Sequence, residues 1–227
     1  MRSSKLPRRP PTASPRKPRS PRAPTSPPKL TQTPERIPFV GLTGGIGAGK
    51  STALAALERA GAAVLSTDAV VHELYSDDDV VSAVRERFGD AIERDGVVDR
   101  GALARVAFAT ASDRQWLEGL LWPRVGERMA AWRASLPVGV RAAVVEVPLL
   151  FESGMEGQFD ATIAVIAAEG LRASRAGARG HEALEARSAR QLTQQEKAHR
   201  ATYVVVNDGT LEELESKLSA VLEMLGS

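Results

Sequence analysis

Residues 44–51 read Gly-Gly-Ile-Gly-Ala-Gly-Lys-Ser, and no other segment constrains the fold as strongly. The run follows a short apolar strand, Phe39-Val40-Gly41-Leu42. It opens a helix that Leu54, Leu57 and Ala60 carry from Lys50 to about Ala60. Gly61 is a natural helix stop, and Ala62-Ala63-Val64-Leu65 then reads as a second strand. Strand, helix and strand in this space imply parallel strands joined by a right-handed crossover. Glycines admit positive φ and let backbone N–H groups close around an anion, while the new helix directs its positive end there. Gly44-x-x-x-x-Gly49-Lys50-Ser51 therefore matches a nucleotide phosphate loop, and the strand before it and helix after it are the context that pattern requires. Gly44, Gly45, Gly47, Ala48 and Gly49 would form the cradle for ATP phosphates. Lys50 would reach the β- and γ-phosphates, Ser51 would ligate Mg²⁺, and Thr52 would lie near the α-phosphate.

Beyond this unit, residues 69 to 136 read as helical throughout. Asp77 to Phe88, Arg100 to Thr110 and Asp113 to Ser135 carry apolar residues three and four apart, with Asp99 and Ser112 at expected N-caps. Strand patterns return at Ala142 to Val147 and Thr162 to Ile166, and a last strand, Tyr203 to Val206, precedes a helix from Leu211 to Leu225. Strands alternating with helices predict a doubly wound α/β fold. The expected architecture is a P-loop NTPase-type parallel five-stranded sheet. Its core is residues 37–69, 139–169 and 201–227, with a helical substrate-binding insertion at 70–138 and a helical lid at 170–200.

Residues 1–36 are different in kind. Up to Pro38 lie 11 of the 14 prolines, interleaved with Ser, Thr and Arg. Such a segment buries too little apolar surface to offset its ordering entropy, so it reads as a disordered, partly polyproline-II tail. It has no continuous apolar stretch, which excludes a secretory signal peptide. Through Ile37 ten Lys or Arg face one Glu; of the chain's 30 basic and 28 acidic residues, 20 and 27 remain for the rest. The domain is thus mildly acidic, and the chain's overall basic character is no argument that it binds nucleic acid specifically. The tail serves at most as a weak tether to anionic surfaces. There are no cysteines, which excludes disulfide staples, Cys-ligated zinc and thiol catalysis and fits a cytoplasmic protein. No apolar run approaches the roughly 20 residues that span a bilayer.

The class of P-loop protein is narrowed by what surrounds the loop. A guanine-reading Asn-Lys-x-Asp element is absent; Asn207-Asp208-Gly209 is the only loose echo. The second strand ends at Ser66-Thr67-Asp68, at the sheet edge where a γ-phosphate would lie. A carboxylate there accepts the proton of an attacking hydroxyl; as the alternative, Asp68 simply caps the helix after Ala69.

With these residues in view, the chain resembles the dephospho-CoA kinase family over about residues 38–225. The likeness rests on residues 43–52 of the loop, on Thr67-Asp68-Ala69 with His72, and on Val147-Pro148-Leu149-Leu150-Phe151-Glu152-Ser153-Gly154. Arg175, Arg179, Arg187, Gln191, Glu196-Lys197 and Asn207-Asp208-Gly209-Thr210 follow in the family's order. The resemblance implies transfer of the ATP γ-phosphate to the ribose 3′-hydroxyl of dephospho-CoA with Mg²⁺, completing coenzyme A. Asp68 would be the base, Lys50 and Arg175 the catalytic cations, and Asn207 part of the adenine pocket. His72, Pro148, Leu149 and Glu152 would meet the acceptor, with an ordinary helix residue the alternative for His72 and a cap or brace of the loop after the third strand the alternative for Glu152. Glu146 would stand beside Ser51 at the metal. The chain departs from the family pattern at Thr67, at Trp122-Pro123 where the family has His-Pro, at Glu146 where it has Asp, and at Thr202 where it has Asp.

Alternatives stay open for several residues. Arg172, Arg175, Arg179, Arg187 and Arg190 form either a phosphate-facing set or a solvated helix face. Trp116, Trp122 and Trp132 read as core rather than a stacking platform. Shikimate and gluconate kinases also carry an Asp after the second strand, and a nucleotide-gated binding protein would need no acceptor site at all. A monomer or weak oligomer is expected. Because the tail buries little, deleting residues 1–36 is expected to leave the melting temperature and activity nearly unchanged in a thermal melt and a turnover assay. A large drop in melting temperature would refute that reading.

Overall fold

The computed structural model describes residues 36–177 and 191–226. Residues 1–35 and the positions of His181, Arg179, Arg187 and Arg190 lie outside that range.

The described chain is built on β1 (Phe39–Gly44), α1 (Lys50–Arg59), β2 (Ala63–Ser66), α2 (Thr67–Leu74) and α3 (Asp78–Phe88). Next come β3 (Glu93–Arg94), β4 (Val97–Val98), α4 (Arg100–Ala107), α5 (Ala111–Ala134), β5 (Ala143–Glu146) and β6 (Ala161–Ile166). The order ends with α6 (Glu169–Gly177), α7 (Gln194–Arg200), β7 (Tyr203–Val206) and α8 (Leu211–Leu225). Five strands form one parallel sheet in the order β2-β5-β1-β6-β7. This is the five-stranded α/β sheet expected from the alternation of patterns. The central strands β1 and β5 are buried along their whole length, which is why they read as continuous apolar runs.

Alternation along the strands feeds two cores. Val40, Leu42, Val144, Ile163 and Val165 pack against Ala53, Ala56 and Leu57 of α1 and Leu214, Leu218, Val221 and Leu222 of α8. Phe39, Ala143 and Val145 face the other way, onto Met129 and Trp132 of α5 and onto Leu150, Phe151 and Phe159. There Phe39 and Phe159 stack at 4.7 Å, and the Arg133 guanidinium lies over Phe39. A third cluster is drawn mainly from the helices, from Val70 and Leu74, Val80 and Val84, Leu103, and Leu117, Leu121 and Val125, and is completed by Ile92 and by Val98 of β4.

Some expectations require correction. Residues 69–136 are not helical throughout: β3 and β4 form a short antiparallel hairpin. Its turn is Asp95-Gly96, with φ of 55° and 77°, the left-handed pair that a tight hairpin needs and a helix cannot accept. The cap of α5 is Thr110, which accepts from the Asp113 N–H at 3.0 Å, so Ser112 lies inside the first turn. Asp99 caps α4 as expected, accepting from the Ala102 N–H, a bond that lowers its carboxyl below the usual range. Trp116 packs edge-on against Phe88 and Trp132 joins the sheet core, but Trp122 is 53% exposed because it faces away from both.

Leu57 is fully buried between the sheet and α8, on the helix that starts at the phosphate loop. Leu57→Ala is expected to cost about 2–5 kcal/mol by urea denaturation, the range for a large-to-small change in a packed core; a cost under 1 kcal/mol would contradict this packing.

Candidate active site

The carboxyl ends of the strands lie level. Ser66 and Leu42 both align with Glu146, Gly44 aligns with Val165, and Ile166 with Val206. Whatever follows each strand is therefore gathered along one edge, where open parallel sheets bind ligands.

The loop after β1 is held from outside. Asn207, at the end of β7 and buried, donates from Nδ2 to the Ala48 carbonyl at 2.9 Å. Its own N–H is fixed on Ile166, and Arg175 donates to its carbonyl at 3.3 Å. Lys50 Nζ donates to the carbonyls of Gly44 (3.0 Å) and Gly45 (3.2 Å). The Ala48 N–H also bonds Gly45. Gly49 is the N-cap of α1 at φ 92°, and a side chain there would run into the Asn207 amide. Among the described residues no side chain caps α1, and no acid stands in its first turn, so the positive end of the helix is left open to an anion.

At the neighbouring edge, Ser66 Oγ donates to Glu146 Oε2 at 2.9 Å, and Thr67 Oγ1 to the Glu146 carbonyl at 2.9 Å. Glu146 is buried at the end of β5, beside β1. Ser66 occupies the N-cap position of α2, so Asp68 is a first-turn residue and not the cap. That removes the capping alternative. Asp68 is exposed at the sheet edge, and His72 is exposed one turn further along α2.

Pro148 and Leu149 are half-buried in the loop after β5. Beneath them Lys197, fully buried, donates to the Pro148 carbonyl at 2.7 Å and to Thr43 Oγ1 at 3.3 Å. It pairs with Glu152 Oε1 at 2.9 Å, and that oxygen also accepts from the Leu192 N–H at 2.8 Å. Burial pushes the Lys197 ammonium below the usual lysine range, and the Glu152 carboxylate opposes the shift. Glu152 and Lys197 together thus brace three segments: the residue before the loop, the turn after β5 and the approach to α7. Among the described residues the second Glu152 oxygen is buried without a hydrogen bond.

Sequence reasoning met Lys197 only beside Glu196, as part of the family resemblance, and gave it no role, because its helix looks polar. Nor did it separate Arg172 from the other arginines. Arg172 Nε donates to the Ile46 carbonyl at 2.9 Å, and its NH1 pairs with Glu169 at 2.6 Å. Gln194 clamps both the N–H and the carbonyl of Ala167 at 2.8 and 2.9 Å. Beside Asn207, a cleft of about 260 Å³ is lined by Ile166, Ala168, Gln194, Ala198, Val206 and Asp208.

A phosphate loop closing the central strand of such a sheet is the architecture of P-loop kinases. The solved structures agree: the chain superposes on TT1252 from Thermus thermophilus with a TM-score of 0.72, 35% identity and coverage of 83% of this chain and 98% of that one. It superposes on a dephospho-CoA kinase from Campylobacter jejuni with a TM-score of 0.57 at 20% identity, covering 83% and 97%. The dephospho-CoA kinase family model matches residues 38–213. The chain is 41% identical over 190 residues to the dephospho-CoA kinase of Deinococcus radiodurans, covering 82% of this chain and 91% of that protein. It is 37% identical over 200 residues to that of Chlorobaculum tepidum, covering 84% and 96%. The chain belongs to the dephospho-CoA kinase family.

Breaking the buried pair should expose its role. Lys197→Met is expected to cost about 3–5 kcal/mol in urea denaturation, because a buried carboxylate loses its partner. The double variant Lys197→Met/Glu152→Gln is expected to cost less than the sum of the two single changes. Strict additivity would mean the two charges do not interact.

Proposed function

We propose that this chain transfers the γ-phosphoryl group of ATP to the ribose 3′-hydroxyl of dephospho-CoA, giving coenzyme A and ADP in the last step of coenzyme A biosynthesis. The observation that carries this reading is Asp68 standing exposed on the same sheet edge as an uncapped phosphate loop, in a member of the dephospho-CoA kinase family.

Each residue then has a task. Backbone N–H groups from Gly45, Gly47, Ala48 and Gly49 and the first turn of α1 receive the β-phosphate. Lys50 leaves the carbonyls of Gly44 and Gly45 and moves onto the β- and γ-phosphate oxygens. Asp68 accepts the 3′-hydroxyl proton as that oxygen bonds to the γ-phosphorus and the bond to the β,γ-bridging oxygen breaks. ADP departs with the electron pair. Arg175 adds positive charge to the transferring oxygens, and Thr52 holds the α-phosphate. Asn207 and the cleft beside it suit the adenine.

Mg²⁺ would be held by Ser51, with Glu146 beside it. The donor set is suitable: hydroxyl and carboxylate oxygens are hard ligands, and Mg²⁺ takes few protein ligands when phosphates complete its shell. When bound, the ion neutralises charge on the phosphate oxygens.

Residues 70–138 serve as the acceptor-binding subdomain and 170–200 as the lid, with His72, Pro148 and Leu149 toward the acceptor. Glu152 acts on it indirectly, as a brace. No described helix is long and apolar enough to cross a membrane. A cytoplasmic monomer or weak oligomer without a specific nucleic-acid partner is the accompanying reading.

Asp68→Asn keeps the side chain's shape but removes the basic oxygen. It is expected to lower single-turnover transfer to dephospho-CoA by about 10²–10⁴, with ATP affinity little changed. Transfer at the wild-type rate would show that Asp68 is not the base; lack of ADP release with dephospho-CoA in the wild type would overturn the assignment itself.

A further inference from the structure

Four carbonyls in the phosphate loop, those of Gly44, Gly45, Ile46 and Ala48, receive hydrogen bonds from side chains. Lys50 supplies two of these bonds and Asn207 a third. The fourth, on Ile46 at the crown of the loop, comes from Arg172 in α6. Nothing in the transfer reaction described above uses Arg172.

Its placement is specific. The Arg172 side chain is only 21% exposed, and its guanidinium is divided between two partners. Nε donates to Ile46 and NH1 pairs with Glu169, one turn earlier on the same helix. The backbone of α6 comes equally close: a Cβ built on Gly47 would lie 2.5 Å from the Arg172 carbonyl oxygen and 3.0 Å from its Cα. A Cβ on Gly45 would meet the guanidinium at 3.2 Å. The crown of the loop, Gly45-Ile46-Gly47, is therefore seated directly under Arg172, with glycine on each side of the carbonyl it grips.

A loop can turn its N–H groups inward on a phosphate only while its carbonyls turn outward, and an outward carbonyl needs a donor. We infer that Arg172 is a positioning residue for the nucleotide, holding the Ile46 peptide so that the crown's N–H groups face the β-phosphate before ATP arrives, with Glu169 fixing the guanidinium. This rests on the P-loop kinase reading above. It differs from the role given to Arg175, because Arg172 works through the loop and not on the transferring group.

That difference fixes the test. The β-phosphate is common to ATP and ADP, so loss of a loop-positioning residue weakens both nucleotides alike. Arg172→Ala is expected to raise the dissociation constants of ATP and of ADP by about tenfold each, the size of a lost charge-assisted hydrogen bond, measured by titration calorimetry. The single-turnover rate at saturating ATP is expected to stay within about threefold of the wild type, since no group on the transferring phosphoryl is lost. Arg172→Lys keeps the charge and one donor but not the fork, and should fall between; it also covers the case in which the alanine variant does not fold. A weakening confined to ATP, or a large fall in transfer rate with ADP affinity intact, would overturn the inference in favour of a γ-phosphate contact. Unchanged affinity for both nucleotides in a folded variant would overturn it outright. Failure of the wild-type chain to bind ATP would instead strike the reading on which it rests.

Discussion

A loop that binds an anion through backbone N–H groups must find donors for the carbonyls it turns away, and much of this structure is organised around that requirement. Two donors arrive from far along the chain, Asn207 from the end of β7 and Arg172 from the helix after β6, while Lys50, from the helix that the loop itself begins, serves the carbonyls of Gly44 and Gly45 until a nucleotide draws it away. A parallel sheet meets the requirement economically, because it brings the carboxyl ends of β1, β6 and β7 to one edge in level register. The order in which the strands are wound thus matters to the loop as much as its own glycines do.

The other half of the edge is tied together by carboxylates. The Glu146 carboxylate accepts from Ser66 at the end of β2 and its backbone carbonyl from Thr67 at the start of α2, which fixes that helix and with it the position of Asp68. Glu152 and Lys197 perform the corresponding task under the turn after β5, reaching to Thr43 immediately before the loop. Removing either ion would leave the other buried without compensation, a cost that makes such pairs rigid once formed. The exposed groups that chemistry would use, Asp68 and the first turn of α1, are therefore mounted on elements whose roots are buried and hydrogen-bonded.

The parts of this arrangement differ in how openly the sequence declared them. The phosphate loop was legible because its glycines and Lys50 have a fixed spacing and a strand and helix on either side. The sheet was legible because strands buried on both faces are nearly continuous apolar runs: Ala143-Val144-Val145 ahead of Glu146, and Ala161–Ile166 broken only by Thr162. The hairpin at Asp95-Gly96 was missed because strands of two residues have no periodicity to detect; the dipeptide itself was the available signal. Lys197 and Arg172 were hidden for another reason. Both lie in polar, basic stretches that read as solvated, and their partners stand 45 and more residues away, at Glu152, Thr43 and Ile46. Burial of a cation depends on what packs over it, and only the assembled sheet edge supplies that. Trp122 failed in the opposite sense: its neighbours on α5 are core residues, yet its own position on the helix looks outward.

The register of β1 has a kinetic consequence. Its first residue, Phe39, pairs with Ala143, about a hundred positions later in the chain. The central strand is made early yet finds neither neighbour until the whole helical block between β2 and β5 exists, so the sheet bears the loop-closure entropy of that block. The block carries no such burden. Its own cluster, from Val70 to Val125, joins residues that are near neighbours in sequence, which favours rapid local assembly. Contact order thus divides the chain into a quick part and a slow one, and the nucleotide loop belongs to the slow part: its outer donors at Arg172 and Asn207 come into being only when the last strands dock.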